Sequence, residues 1–430
     1  MSVQAASCQN ATLELRRSLA RRFKNVRQRT LELCEPLEPE DCVIQSMPDA
    51  SPVRWHLAHS TWFFETFALA KSIQGYRPFH PEYERLFNSY YESIGKPLPQ
   101  AERGLLSRPT VADVLRFRAH VDRRIEELFE TVPSGELTEL GRIIEIGVNH
   151  EEQHQELILT DIKHALSVHP LKPTCWPKQV EPPVYEPELA FVDFAEELCS
   201  IGHSGGSFSF DNESPEHRSY LHAYSLGSRL VTNREYAAFI EDGGYSRPEL
   251  WLAEGFHHAE SCEWKAPLYW TRENGAWMQF TLHGQRPIAM SEPVCHVSLY
   301  EADAFARWSG ARLPTEVEWE AAAKTVPVEG NFLESEEFHP TRAPDTGTGS
   351  QLTQMFGDVW EWTSSAYSPY PGYRSLDGPL GEYNGKFMVN QYVLRGGSCA
   401  VSREHIRPTY RNFFHADARW QFSGIRLAKD

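Results

Sequence analysis

The sequence predicts a two-domain protein, a four-helix bundle followed by an α+β domain of short, irregular strands. Three observations predict it. At 430 residues the chain is too long for one ordinary core. Apolar residues recur at helical spacing up to about residue 170, whereas beyond it Gly, Ser and Pro divide the sequence into short apolar runs. Between the two textures, six prolines fall within residues 170–187.

The bundle elements follow in order. Leu13, Leu15, Leu19, Phe23 and Val26, then Leu31 and Leu33, mark a first helix. A second runs from Val53 to Ile73 behind Pro52, a residue suited to a first turn. A third spans Val111 to Leu128 after the Pro109-Thr110 start signal, and a fourth runs from about Leu137 to Val168 and is stopped by Pro170. A long connection over roughly 74–108 makes this an up-and-down bundle with a crossover, an architecture that builds metal sites from inward-facing side chains. The expected domains are therefore 1–169 for the bundle, 170–190 for an extended proline-rich linker and 191–430 for the α+β domain. Helices in the last are expected over Asn233–Asp242, Leu299–Ser309 and Thr315–Lys324.

Composition excludes several classes. Apolar content of 41% with 23% charged residues describes a globular chain, and a formal charge of −17 opposes any electrostatic grip on nucleic acid or an anionic membrane. Eight scattered cysteines contain no C-x-x-C pair, which argues against a zinc ribbon or thioredoxin motif and fits a reducing compartment. Charges interrupt Met1 to Arg22 where a signal peptide needs an apolar stretch, and no run approaches 18 uncharged apolar residues. A cytoplasmic protein is expected.

The stretch Asn149-His150-Glu151-Glu152-Gln153-His154-Gln155 carries the most specific chemistry. Two imidazoles four residues apart lie about 40° apart around a helix and one turn along it, so both reach a single ion. His150-Glu151-x-x-His154 also has the form H-E-x-x-H of zinc proteases, but Leu157 and Thr160 stand where the longer pattern needs Gly and His. The proline-rich stretch that follows offers no helix to supply a glutamate ligand. A further imidazole is available from His56 or His59 in the second helix. Three neutral imidazoles on a partly open ion resemble the facial triads of non-haem Fe(II), which leave positions for substrate and O₂. Lacking a carboxylate ligand, such a site keeps a charge of about +2 and favours an anionic donor such as a thiolate.

At these residues the chain resembles the ergothioneine-pathway sulfoxide synthases, which join a DinB-like four-helix bundle to a domain similar to the formylglycine-generating enzyme, a C-type-lectin-like α+β fold. The N-terminal resemblance rests on Leu57-Ala58-His59 and on His150-x-x-x-His154-Gln155-Glu156-Leu157. The C-terminal one rests on ordered blocks: Val231-Thr232-Asn233-Arg234-Glu235-Tyr236, Gly310-Ala311-Arg312-Leu313-Pro314-Thr315-Glu316, Gly357-Asp358-Val359-Trp360-Glu361-Trp362, Leu394-Arg395-Gly396-Gly397-Ser398 and Phe422-Ser423-Gly424-Ile425-Arg426. Most of these blocks read as scaffold. The formylglycine-generating enzyme uses a late pair of cysteines, whereas only Cys399 falls in that region here.

The resemblance implies an iron(II) enzyme that uses O₂ as co-substrate to join N-α-trimethylhistidine (hercynine) to a thiol, cysteine or γ-glutamylcysteine, as a sulfoxide. It implies His59, His150 and His154 as iron ligands and leaves His56 beside them. Tyr90 and Tyr91 are the candidate proton donors, because a phenol delivers both a proton and an electron. Gln153 and Asn412 are candidates for the hercynine end, with Phe413, Phe414 and Trp420 as aromatic faces for its trimethylammonium group. Arg103 and Arg108 are candidates for a carboxylate. The branch that takes γ-glutamylcysteine has an acidic residue at the position of Phe414, so phenylalanine there favours free cysteine. Three other readings are an iron thiol dioxygenase, a DinB-type thiol transferase using zinc or nickel, and a non-catalytic lectin-like module.

Overall fold

The computed structural model describes residues 3–177, 187–345 and 351–430. Two compact units make up the chain, Met1–Val168 and His169–Asp430. The middle of the proline-rich stretch lies outside the described residues. Among the described residues no helix is long and apolar enough to cross a membrane.

Unit 1 is a four-helix bundle. Its long helices are α1 (Val3–Cys34), α2 (Val53–Phe64), α5 (Val111–Thr131) and α6 (Leu137–Val168). Between α2 and α5 lie α3 (Ala70–Ser72) and α4 (Tyr83–Phe87), so the crossover carries a short helix of its own. Thr110 and Asp113 form a capping box at the start of α5, which explains the sharp onset there. Pro52 stands at the N-cap of α2, one place earlier than a first-turn proline. The core is aromatic where α1 meets α2, with Phe23 against Phe64 at 5.0 Å between centroids. Burying each such ring contributes roughly 1.5–3 kcal/mol.

The expectation of one uninterrupted helix from Val53 to Ile73 needs a correction. After Phe64 the backbone widens into a π-helical turn over Glu65–Leu69 before resuming as α3. Glu65 is buried at this point, and its carboxylate accepts hydrogen bonds from Tyr76 Oη at 2.9 Å and Phe79 N at 2.8 Å. Turns of this kind recur at functional sites.

Unit 2 is an irregular α+β domain in which no strand among the described residues exceeds seven residues. Its helices are α7 (Asn233–Glu241), α8 (Ala253–Ser261), α9 (Leu299–Trp308) and α10 (Glu316–Ala323). Three of these helices open on capping boxes: Thr232 with Glu235, Ser298 with Glu301, and Thr315 with Glu318. Helix α8 escapes a sequence reading because no side chain caps it and Gly255 interrupts it. A Cβ on Gly255 would meet Tyr300 at 2.6 Å, so the glycine lets α8 lie directly on α9. A four-stranded sheet runs Asn412–His415, Gln391–Arg395, Trp360–Ala366, Ser423–Gly424, with only the last pair parallel. A second sheet places Tyr224–Gly227 between Phe191–Phe194 and Ala428–Lys429, joining the two ends of the unit.

Candidate metal centre

Helix α6 presents His150 and His154 one turn apart, and α2 presents His59 to the same point. The Nε2 atoms of His59 and His154 each lie 3.1 Å from Nε2 of His150. The three donor atoms fall within 4.8 Å of one another, and all three residues are buried. The close approach of the two helices depends on Gly147, where a Cβ would stand 2.4 Å from a ring carbon of Phe64 and 3.0 Å from one of Phe63. Substituting Gly147→Ala therefore overpacks a rigid aromatic layer at about 1–3 kcal/mol, more than the ~1 kcal/mol alanine gains over glycine in a helix. A lowered urea midpoint for the variant is expected; an unchanged midpoint would mean that the helices do not pack this tightly.

Neighbours fix the ligand rings. His59 Nδ1 donates to the Phe87 carbonyl at 2.5 Å, leaving Nε2 as a free lone pair, and Trp55 Nε1 donates to Leu86 O at 3.1 Å. The end of α4 is thus latched onto α2 beside the site. Trp55 also stacks on His59, 4.5 Å away and 10° from parallel. Burial pushes the His150 pKa down to about 3 and carries those of His59 and His154 well below the ordinary imidazole value, the adjacent rings adding to the effect. The three rings are neutral at physiological pH, the state a metal ligand requires.

With all three rings as Nδ1–H tautomers, a cation between them would accept three converging lone pairs. Donors at right angles and about 2.1 Å from an ion stand about 3.0 Å apart, so the two 3.1 Å separations fit adjacent positions on one divalent ion. An all-imidazole donor set suits iron, zinc, copper or nickel.

Glu151 does not belong to this centre. Its carboxylate turns toward α1 and α5, accepting from Arg27 Nη1 at 2.8 Å, Thr30 Oγ1 at 2.6 Å and Arg118 Nη2. Burial alone would raise its pKa, but Arg118 and Arg27 with the Thr30 hydrogen bond hold it at about 2. A zinc-protease base would have to face the ion, so the H-E-x-x-H form here is a coincidence of helical spacing.

The other candidates are distributed. Asn88 knots the segment after α4, donating to Tyr91 O at 3.0 Å and Gly95 O at 2.9 Å while its Oδ1 accepts from Tyr91 N. Tyr91 is fully buried against Phe67 and Trp62, whereas Tyr90, 4.6 Å from it between ring centroids, is half-buried. Gln153 is half-buried on α6. Arg103 is buried, donates to Ser51 Oγ at 2.9 Å and lies 3.4 Å over the Trp55 ring; burial lowers its pKa to about 9, so it stays cationic at neutral pH. Arg108 is exposed and donates to the Ser107 carbonyl.

In unit 2 strand alternation separates two residues that are neighbours in sequence. Phe413 stacks on Tyr367 at 4.0 Å, while Phe414 faces the other way toward Trp420 at 6.4 Å, on the Asn412 side of the strand. Phe413 and Phe414 therefore do not form one aromatic box. Cys399 is buried.

The DinB superfamily model matches residues 22–158, and the Sulfatase-modifying factor enzyme 1-like domain matches residues 197–351 and 348–430. Hercynine oxygenase of Mycolicibacterium smegmatis is 32% identical over 445 residues, covering 96% of this chain and 99% of that protein. Hercynine oxygenase of Mycobacterium tuberculosis is 32% identical over 450 residues, covering 96% and 98%. Ergothioneine biosynthesis protein 1 of Schizosaccharomyces pombe is 25% identical over 236 residues, covering 52% of this chain and 28% of that protein. Similarity of this extent runs through both units, and the chain belongs to the hercynine oxygenase family.

Proposed function

We propose that the protein is an O₂-dependent iron(II) sulfoxide synthase of ergothioneine biosynthesis, joining hercynine to a thiol. The observation that supports this reading most is the convergence of His59, His150 and His154 Nε2 in a chain similar over its whole length to hercynine oxygenases. The reaction balances as follows. A hercynine C–H bond and the thiol S–H bond are lost, C–S and S–O bonds form, and the second oxygen atom leaves as water. A ferrous ion held by the three imidazoles would supply the redox chemistry that couples these changes to O₂.

The chain's own residues bind, orient and protonate. Arg103, cationic and buried, adds positive potential near the site that favours an anionic thiol donor. Tyr90 is the proposed proton donor because its ring is only half-buried, whereas Tyr91 is enclosed in the aromatic core. Gln153, half-buried and next to His154 on α6, is the proposed hercynine contact of unit 1, with Arg108 less favoured by its exposure. Free cysteine is the proposed donor, since Phe414 offers no charge to hold the larger dipeptide. The cytoplasm is the proposed setting.

Aerobic incubation of Fe(II)-loaded protein with hercynine plus cysteine or γ-glutamylcysteine, followed by mass analysis, tests the reading. A coupled sulfoxide is expected, with cysteine the better donor. Sulfinate formed without hercynine would mark a thiol dioxygenase instead, and turnover without O₂ a transferase. Tyr90→Phe is expected to reduce sulfoxide formation by ~10²–10⁴-fold and to divert thiol toward sulfinate, with iron content unchanged.

A further inference from the structure

His56 lies outside the donor cluster but is not mere packing. Its Nδ1 is 2.8 Å from Nδ1 of His154, and its Nε2 is 3.0 Å from Asp161 Oδ2. The same carboxylate oxygen accepts from Ser51 N at 2.7 Å, just ahead of α2. His56, Asp161 and Ser51 are 2%, 5% and 4% exposed, so water does not compete for these bonds.

With the carboxylate ionised and both rings neutral, donor and acceptor counting gives one arrangement of protons along the line. An ionised carboxylate only accepts, so His56 must carry its proton on Nε2. A neutral imidazole protonated there has a lone pair at Nδ1. The 2.8 Å contact between the two Nδ1 atoms needs one donor, and this can only be His154. His154 is thereby held as the Nδ1–H tautomer, its Nε2 lone pair turned to the other two donors. We infer that His56 and Asp161 are positioning residues for the metal centre, a carboxylate–imidazole–imidazole line that sets the tautomer and ring orientation of His154. The inference rests on the reading of the three imidazoles as metal ligands.

The arrangement is reciprocal between the helices. Helix α2 supplies one ligand, His59, and the support for another, His56. Helix α6 supplies two ligands and, seven residues after His154 on the same face, the anchoring Asp161. Ligand histidines ordinarily give their second nitrogen to one carboxylate or carbonyl, as His59 does to Phe87. Here a second imidazole is interposed, which lets an acid two helical turns away govern a ligand it does not touch.

The test is metal affinity, read separately from turnover. Full-length protein would be titrated anaerobically with Fe(II) against a chelator, with circular dichroism confirming the fold of each variant. His56→Leu is expected to weaken binding 10–100-fold. Asp161→Leu should weaken it similarly, and the double variant should lose little more than either single one, because the acid acts through the ring. A folded His56→Leu protein that binds Fe(II) within twofold of the parent, or fully additive losses, overturns the inference. Should neither variant fold, wild-type protein with ¹⁵N-labelled histidine and bound Zn(II) decides: a protonated Nδ1 on His154 facing an unprotonated Nδ1 on His56 is expected, and the reverse pattern overturns it. Failure to form sulfoxide would instead strike the functional reading and leave these outcomes readable.

Discussion

Exchanging His154 for alanine is expected to abolish metal uptake and turnover together. The ring provides one of three converging nitrogens, so its loss leaves two donors on opposite helices. Outer-shell changes at metal sites cost 10–100-fold in affinity, and removal of a ligand itself should exceed ~100-fold. Metal analysis of purified variant protein and the coupled-product assay are the two measurements. A variant that retains iron and forms sulfoxide at the parental rate would show that the cluster is not the catalytic centre. Intact ligand recognition without any metal would favour the lectin-like reading, in which the bundle carries no chemistry.

Replacing Glu151 with leucine is expected to destabilise the bundle by about 3–5 kcal/mol, the largest effect on stability. The substitution leaves two guanidinium groups, Arg27 and Arg118, without their shared counter-charge in a site almost closed to solvent. Arg27 retains Asp122 at 2.6 Å, but among the ionic contacts described for it Arg118 has only Glu151. The sign of the pH dependence follows from the depressed pKa. With the folded value at about 2 against 4.5 for the free group, the contribution is complete above pH 4.5 and fades as pH falls toward 2. Urea melts of parent and variant check both statements. A variant with parental stability but no activity would revive the general-base role of a zinc hydrolase.

Much of this was legible in the sequence, and the reasons differ by residue. His150 and His154 declare themselves because helical periodicity converts a spacing of four into a shared face. The direction of Glu151 is implied by the same periodicity, since one residue's rotation of about 100° turns it from the ligand face. What it meets there is not implied, because Arg27 and Arg118 come from helices whose rotation only packing fixes. The π-helical turn after Phe64 leaves no local signature; it follows from Glu65 finding partners at positions 76 and 79. Asp161 could have been found by extending the i, i+4, i+7 search beyond the histidines, whereas the choice between His56 and His59 needed atomic distances. Phe413 and Phe414 read as an aromatic pair until strand pairing assigns them to opposite faces.

The two nearest donors from different helices, His59 and His150, are 91 residues apart in the chain. An ion gripping both is a reversible cross-link across that span, and its binding free energy counts toward keeping α2 docked on α6. The nascent polypeptide cannot assemble this grip until α6 has been made and has found its partner. Capture of a metal there would therefore report completed tertiary structure, and a chelator would withdraw that tie.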